Sequence, residues 1–286
     1  MILLAMAAVS AGAYSQAHGV QAGAKVGANM WSGTDLKSQV GLTYGIEAAY
    51  TCRWTINRDI ALGPKVGAAF VHSAGGLGKD DLYEQFVNTD YLRNEMAYTV
   101  QGSVKQKFSN WQLEVPLMLS MNIHNALINV GAKFMYLVSG QYEQTLSDNL
   151  ITATYTAYHV DVTNELITGV VTPEQTSFKG DSYLPKMHVL LGVEAGYQWE
   201  VADKHFIGLM AYFNYGVWSS NSTVDKAEQL IEVGEINRGA YPVAPVRVNQ
   251  LQSVYSPKVN YIDFGVKLIY QFEYSDYHYH GWHRGQ

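Results

Sequence analysis

The sequence predicts an all-β chain: an antiparallel up-and-down transmembrane barrel of eight strands (ten is the alternative count) with long loops at one end. Three observations carry that prediction. Eight segments, 19–31, 41–56, 60–72, 111–123, 126–140, 187–201, 206–218 and 259–274, place an apolar residue at every second position, the period of a strand whose side chains alternate between two faces. The apolar faces hold no Asp, Glu, Lys or Arg, while the opposite faces collect Gly, Asn, Thr, Gln and nearly all the charge. The segments run to roughly 13–16 residues, beyond the ~9–11 that a tilted strand needs to cross a bilayer. Soluble sandwiches and lipocalins also alternate, so strand length and charge distribution decide the class.

In chain order, residues 1–15 form a short apolar stretch running into small residues, which resembles a secretory signal peptide cut after Ser15, although no Lys or Arg precedes the apolar run. Residues 16–274 are expected to be one barrel domain. In segment 41–56, Leu42, Tyr44, Ile46, Ala48, Tyr50, Cys52, Trp54 and Ile56 form the apolar face. The turn residues Asn57-Arg58-Asp59, His124-Asn125 and Ala202-Asp203-Lys204 close three tight hairpins. The other connections are 32–40, 73–110, 141–186 and 219–258, of which the last three are long and polar. Short periplasmic turns alternating with long outer loops is the topology of an outer-membrane barrel. Within the loops, Glu95–Val104 and Asn149–Val162 are rich in β-branched and aromatic residues. They extend barrel strands above the membrane or add a spanning pair. Residues 223–237 read as a short amphipathic helix. Pro116 removes a ladder hydrogen bond and implies a bulge or a local break in pairing. Residues 275–286 are a His- and Tyr-rich tail, expected to be periplasmic.

Composition narrows the function classes. A single cysteine, Cys52, cannot form an internal disulfide and reads as a small lipid-facing residue. A net charge of −6 and a pI near 5.8 argue against nucleic acid as a partner. A mean hydropathy of −0.09 fits a barrel with a polar interior. Outward aromatics are expected in two belts, with Trp54, Trp199 and Phe272 near the periplasmic ends and Tyr44, Phe70, Tyr136 and Tyr215 near the outer ends.

Three stretches carry a family resemblance. Val20–Asn29 resembles the Gly-rich first strand of PorT-like outer-membrane β-barrel proteins of Bacteroidetes, and Trp111–Leu119 resembles their "LEIPL" strand. Phe264–Phe272 is similar to their aromatic-terminated last strand. The resemblance implies an outer-membrane location and a small barrel acting as anchor, pore or complex subunit, with no catalytic residues to carry over. The chain departs from that pattern by continuing past Phe272.

The expected lumen face holds Lys25, Arg53, Lys65, Lys133 and Lys267 against Glu47, Glu114, Glu194, Glu200 and Asp263. In a narrow barrel such charges pair with one another or meet water. A salt-bridged plug is therefore expected, with an ion path as the alternative. Lumen glycines Gly23, Gly27, Gly45, Gly63, Gly67 and Gly131 would thin a plug and favour a pore. His278, His280 and His283 are weak metal-ligand candidates, with no cysteine or carboxylate at ligand spacing except Asp276. His72, His159 and His188, near Ser73, Ser139 and Ser182, are the residues an outer-rim hydrolase would use, but no G-x-S-x-G motif accompanies them. The sequence thus points to a non-enzymatic barrel without a cofactor, contacting outer-membrane lipid and binding a surface partner through loops 73–110, 141–186 and 219–258. A small diffusion pore is the alternative, and a lipid-modifying enzyme or protease is third.

Overall fold

The computed structural model describes residues 16–57, 59–89, 95–163, 177–182, 184–220, 229–233, 246–255 and 258–274. Eight long strands form a closed antiparallel ring: β1 (Gln16–Gly33), β2 (Lys37–Thr55), β3 (Ile60–Thr89), β4 (Glu95–Ile123), β5 (Ala126–Tyr155), β8 (Met187–Ala202), β9 (His205–Ser219) and β12 (Val259–Glu273). Short β6 (Val160–Thr163) and β7 (Ser177–Asp181) lie on the free side of β5, and β10 (Ile231–Val233) pairs with β11 (Val246–Val248). Helix α1 (Leu251–Tyr255) precedes β12. The ring closes between β1 and β12 in a register from Gly19↔Glu273 to Gly33↔Val259. Each strand therefore has both neighbours within the ring, and no open edge faces the apolar surroundings.

The turn end is built as the turn residues dictate. The Asn57 Oδ1 accepts hydrogen bonds from the Asp59 and Ile60 amides at 3.0 and 2.9 Å, an Asx turn. His124 and Lys204 take positive φ (54° and 65°) in the other two hairpins. At the opposite, loop end, β1 and β2 are joined by a tight turn at Asp35, φ 60°.

The eight-strand count holds, and of the two readings of the outer segments the strand extension is the one observed, running on through residues expected to be loops. β3 runs on to Thr89, β4 begins at Glu95 and β5 continues to Tyr155. Glu95–Val104 and Leu150–Tyr155 are therefore the far ends of ring strands, not a ninth and tenth strand. The physical reason is a reversal of polarity along each strand. On β4, Gln112 and Glu114 point inward while Leu113 and Leu117 point outward. Nearer the loop end, Tyr98, Val100, Val104 and Phe108 point inward, and Lys105, Lys107 and Ser109 face solvent. An apolar face that switches sides escapes a search for one continuous apolar face. From Trp111 to Glu95 this arm rises roughly 50 Å at ~3.3 Å per residue.

Two interiors result. Within the ring the core is mainly polar, with a small apolar cluster of Leu127, Met210 and Ile269. Above it, Trp31, Leu77, Leu82, Tyr98, Val104, Phe108, Leu137, Leu184, Leu190, Leu230, Ile231, Leu251, Val259 and Tyr261 form an apolar core. The expected helix at 223–237 lies partly outside the described residues. Its described part is instead extended, since Ile231 and Val233 pair with Val248 and Val246. Pro116 causes no register shift: the β3–β4 register is the same on both sides of it, and the pairs at Pro116 and Val115 are missing. The register shifts of the β4–β5 pairing fall at Trp111/Gln112 and at Gln101/Ser103 instead, and at both it is β5 that carries the extra residue. Residues 1–15 and the 275–286 tail, with His278, His280 and His283, lie outside the described residues.

Candidate functional site: the lumen and its cap

Period-two alternation aims every second side chain of each ring strand inward, and this brings the sequence-predicted charges together. Lys25 on β1 donates to both oxygens of Glu114 on β4 at 2.9 Å and lies 3.3 Å from Asp263 on β12. Glu194 on β8 is the hub of a second group. Lys133 on β5 reaches it at 2.9 Å, Lys65 on β3 at 3.2 Å, and Lys267 on β12 also contacts it. Glu47 on β2 forms ion pairs with Lys65 and Lys267, both at 2.8 Å, and accepts a hydrogen bond from Lys267. All eight residues are at most 7 % exposed. Four lysines face four carboxylates, so the network is neutral as a whole. Buried charge is tolerable only under that condition, because an unpaired ion in the lumen keeps its desolvation cost with nothing to offset it.

Neutral side chains complete the network, and these the charge-based reading missed. Tyr212 Oη donates to Asp263 at 3.1 Å, Asn214 to Asp263 at 3.1 Å, Asn129 to Glu194 at 3.0 Å and Gln112 to Glu114 at 3.1 Å. The Lys25 and Lys133 ammonium groups lie 5.4 and 5.9 Å from the Tyr212 ring centroid, within cation–π range. Their signal was present in the sequence as the inward phase of polar residues between apolar ones.

Two expected lumen charges stand outside this network: Arg53 keeps the inward phase of β2 and is buried, whereas Glu200 does not. Arg53 lies at the turn end and pairs with Glu273, at the end of β12. Glu200 is exposed at the same rim, beside a register shift between Glu200 and Ala202 that ends the regular inward phase of β8. The lumen glycines do not thin the plug. A Cβ at Gly27 would meet the Phe264 carbonyl oxygen at 2.1 Å and the Tyr212 hydroxyl at 2.5 Å, and one at Gly265 would meet the Val26 carbonyl oxygen at 2.2 Å. These glycines let neighbouring chain approach; they do not leave a channel.

The outward aromatics lie where alternation places them. Tyr44, Phe70, Tyr136, Tyr215, Trp199 and Phe272 are exposed at 37–48 %, and Trp54 is half-buried. Toward the loop end Trp111 joins them, stacked on Phe70 at 4.9 Å and edge-on to His72 at 4.9 Å. His72 thus belongs to the belt and contacts Ser109 at 3.0 Å. His188 is buried, bonded to the Pro185 carbonyl at 2.9 Å, and His159 sits in an exposed turn at φ 49°. Among the described residues, Ser73 donates to Gln112 at 3.2 Å, which itself donates to Glu114, but none of these histidines hydrogen-bonds to that serine or to a carboxylate, and no group of three His, Cys, Asp or Glu has metal-binding geometry.

A cap closes the loop end. On β3, Glu84 accepts the Leu230 amide through both oxygens at 3.0 and 2.9 Å, and the Tyr255 hydroxyl as well. Burial and the neighbouring Glu84 carboxylate push the Tyr255 phenol well above its usual range. Gln106 and Gln144 both accept the Leu251 amide, at 3.0 and 3.1 Å. The described parts of the fourth loop are therefore folded back into the bowl of the β3–β5 arm, with Leu230, Ile231 and Leu251 fully buried.

Residues 13–222 match the family described as "outer membrane protein beta-barrel domain". Among solved structures the chain is similar to Neisserial surface protein A (11 % identity, 90 % of this chain and 97 % of that chain, TM-score 0.25). It is also similar to Ail, the attachment invasion locus protein of Yersinia pestis, solved in complex with the heparin analogue sucrose octasulfate (10 %, 89 % and 99 %, TM-score 0.25). A third is the outer membrane protease OmpT from Escherichia coli (8 %, 90 % and 97 %, TM-score 0.28). No curated protein matches. The chain belongs to the outer-membrane β-barrel domain family, and its place is the bacterial outer membrane.

Proposed function

We propose that this outer-membrane barrel is a closed, non-conducting anchor that holds the β3–β5 arm and the long loops 73–110, 141–186 and 219–258 out to a surface partner. The carrying observation is the filled lumen. The network around Lys25, Glu47, Glu114 and Glu194 is buried and neutral, and the apolar core and cap lie above it. A pore needs a continuous wet path, and both layers stand across the axis. Rigid scaffolds commonly present binding surfaces on their loops, and the resemblance of stretches in β1, β4 and β12 to PorT-like barrels supports an anchor or subunit role over catalysis. The test is single-channel conductance of the refolded protein in a planar bilayer. Inserted barrels are expected to be silent. A steady, salt-dependent conductance that shifts on Lys25→Met or Glu114→Gln overturns the anchor reading in favour of a small pore.

A further inference from the structure

Building on the anchor reading, we propose that the open edge of β3 over Leu82–Val87 pairs with an extended, uncharged strand of a partner chain, which adds to the β3–β5 arm as an antiparallel neighbour. The β2–β3 ladder ends at Lys37↔Gly78. From Lys79 onward, β3 is paired on the β4 side only, among the described residues, from Leu82↔Gly102 to Thr89↔Glu95. Every second residue there aims its backbone N–H and C=O away from β4. The other edge of the same arm is treated differently: on β5, residues 141–145 are covered by β7 and 152–155 by β6.

Natural edge strands are usually blunted by Lys, Pro, bulges or inward charges. On β3 those devices stop early. Lys79, Asp80 and Asp81 sit at a register shift between Lys79 and Leu82. Beyond it the outward residues are Tyr83, Gln85 and Val87, with Tyr83 57 % and Val87 61 % exposed. The only charge in Leu82–Val87 is Glu84, which points inward and is used by the cap. The edge is thus guarded below and open above, and its uncharged outward face fits a strand of Thr, Val or Tyr character.

Symmetry argues for a partner chain over a second copy in the same membrane. A two-fold axis along the membrane normal would set the two β3 strands parallel. In a parallel pair the two strands use different residues for their hydrogen bonds, so no symmetric pairing closes such a dimer. A strand arriving from outside and running toward the membrane meets the edge antiparallel.

The probe is a fluorescent peptide of sequence MAYTVQ with blocked termini, which copies Met96–Gln101, the uncharged segment that already pairs with this stretch of β3 on its other side. Its binding to the full-length protein in lipid nanodiscs would be followed by anisotropy, beside a peptide N-methylated at alternate residues. Saturable binding is expected, weakened at least tenfold by Tyr83→Lys with Val87→Lys and abolished by N-methylation. Tyr83→Thr, which keeps a strand former and adds no charge, should retain it. Equal binding of the methylated peptide, or no saturable binding to correctly folded protein, overturns the proposal. So does a peptide-independent clustering of vesicles carrying this protein alone that the Lys variant abolishes, since a second copy from a facing membrane is then the occupant. Protection of the β3 amides from exchange without peptide, against a segment of this same chain, overturns it as well. Conductance reports separately on the closed lumen, so the anchor reading and the edge proposal fail independently.

Discussion

Replacing Glu194 by Gln keeps the shape of the network hub and removes only its charge. Three lysines lie within 3.2 Å of this carboxylate, which is 0 % exposed. At an effective dielectric constant of about 20, each contact is worth about 4 kcal/mol gross, against a desolvation penalty of several kcal/mol per buried ion. Removing one partner of a buried pair costs about 3–5 kcal/mol, because the remaining charge is stranded. Glu194→Gln leaves Lys133 with no carboxylate partner and the network at one excess positive charge. Adding Lys133→Met restores neutrality, with Lys25, Lys65 and Lys267 facing Glu47, Glu114 and Asp263. The double variant should therefore recover about 2 kcal/mol or more of the loss, a coupling typical of residues in one network. Urea unfolding of the refolded protein in lipid vesicles, followed by tryptophan fluorescence, measures both. A Glu194→Gln cost below about 1 kcal/mol, or a double variant no more stable than the single, would refute a plug held together by charge neutrality.

Four further outcomes follow from the same geometry. Val266, 48 % exposed on the outer face of β12, should lose about 2–4 kcal/mol as Val266→Arg if it meets lipid near the midplane. Its neighbour Gly265 faces a filled lumen, so even Gly265→Ala should cost about 1–3 kcal/mol through overpacking. Equal tolerance of Arg at 266 and at a solvent-facing arm position such as 105 would sink the lipid-face assignment. Glu84→Ala strips the acceptor from the Leu230 amide and the Tyr255 hydroxyl. It should raise amide exchange at 229–233 and 246–255 by the equivalent of about 1–3 kcal/mol while the ring strands keep their protection, and unchanged exchange would remove Glu84 as the latch. Trp111→Ala loses stacking on Phe70 and the edge-on contact with His72, which should lower stability in vesicles by about 1 kcal/mol beyond the lost apolar area; Trp111→Phe should restore most of that excess.

The ring was legible because its code is simple. A lipid-facing side chain must be apolar, so the eight spans and the inward phase of Lys25, Glu47, Lys65, Glu114, Lys133, Glu194, Asp263 and Lys267 could be read position by position. Partners were less legible, since alternation gives a side chain its face but not its height relative to other strands. That height depends on the stagger between strands, which is why Arg53 turned out to belong with Glu273 and Glu200 fell outside the network. The arm was hidden for a different reason. Above the membrane Phe108, Val104 and Val100 point inward, so the apolar phase of β4 inverts between Phe108 and Leu113. A pattern search keyed to one apolar face ends at that inversion.

The inversion also says where binding energy can be spent. Below it, the strands meet lipid outside and a neutral ion network inside, so a substitution on either face is costly and the surface has little freedom to change. Above it, the arm needs an apolar interior only where Tyr98, Val104, Phe108 and Leu146 meet the cap residues Leu230, Ile231 and Leu251. Its outer face and its β3 edge carry no structural duty: Tyr83 and Val87 are exposed, and Lys105 and Lys107 point to solvent. A barrel that only needed to cross the membrane would gain nothing from extending three strands to 29 or 30 residues. Each added residue costs roughly 1–2 kcal/mol of backbone entropy, which the arm recovers by burying its own apolar core. The long strands make physical sense as a rigid platform; among the described residues one of its edges is covered and the other is unpaired, and the unpaired one is where the proposed strand would add.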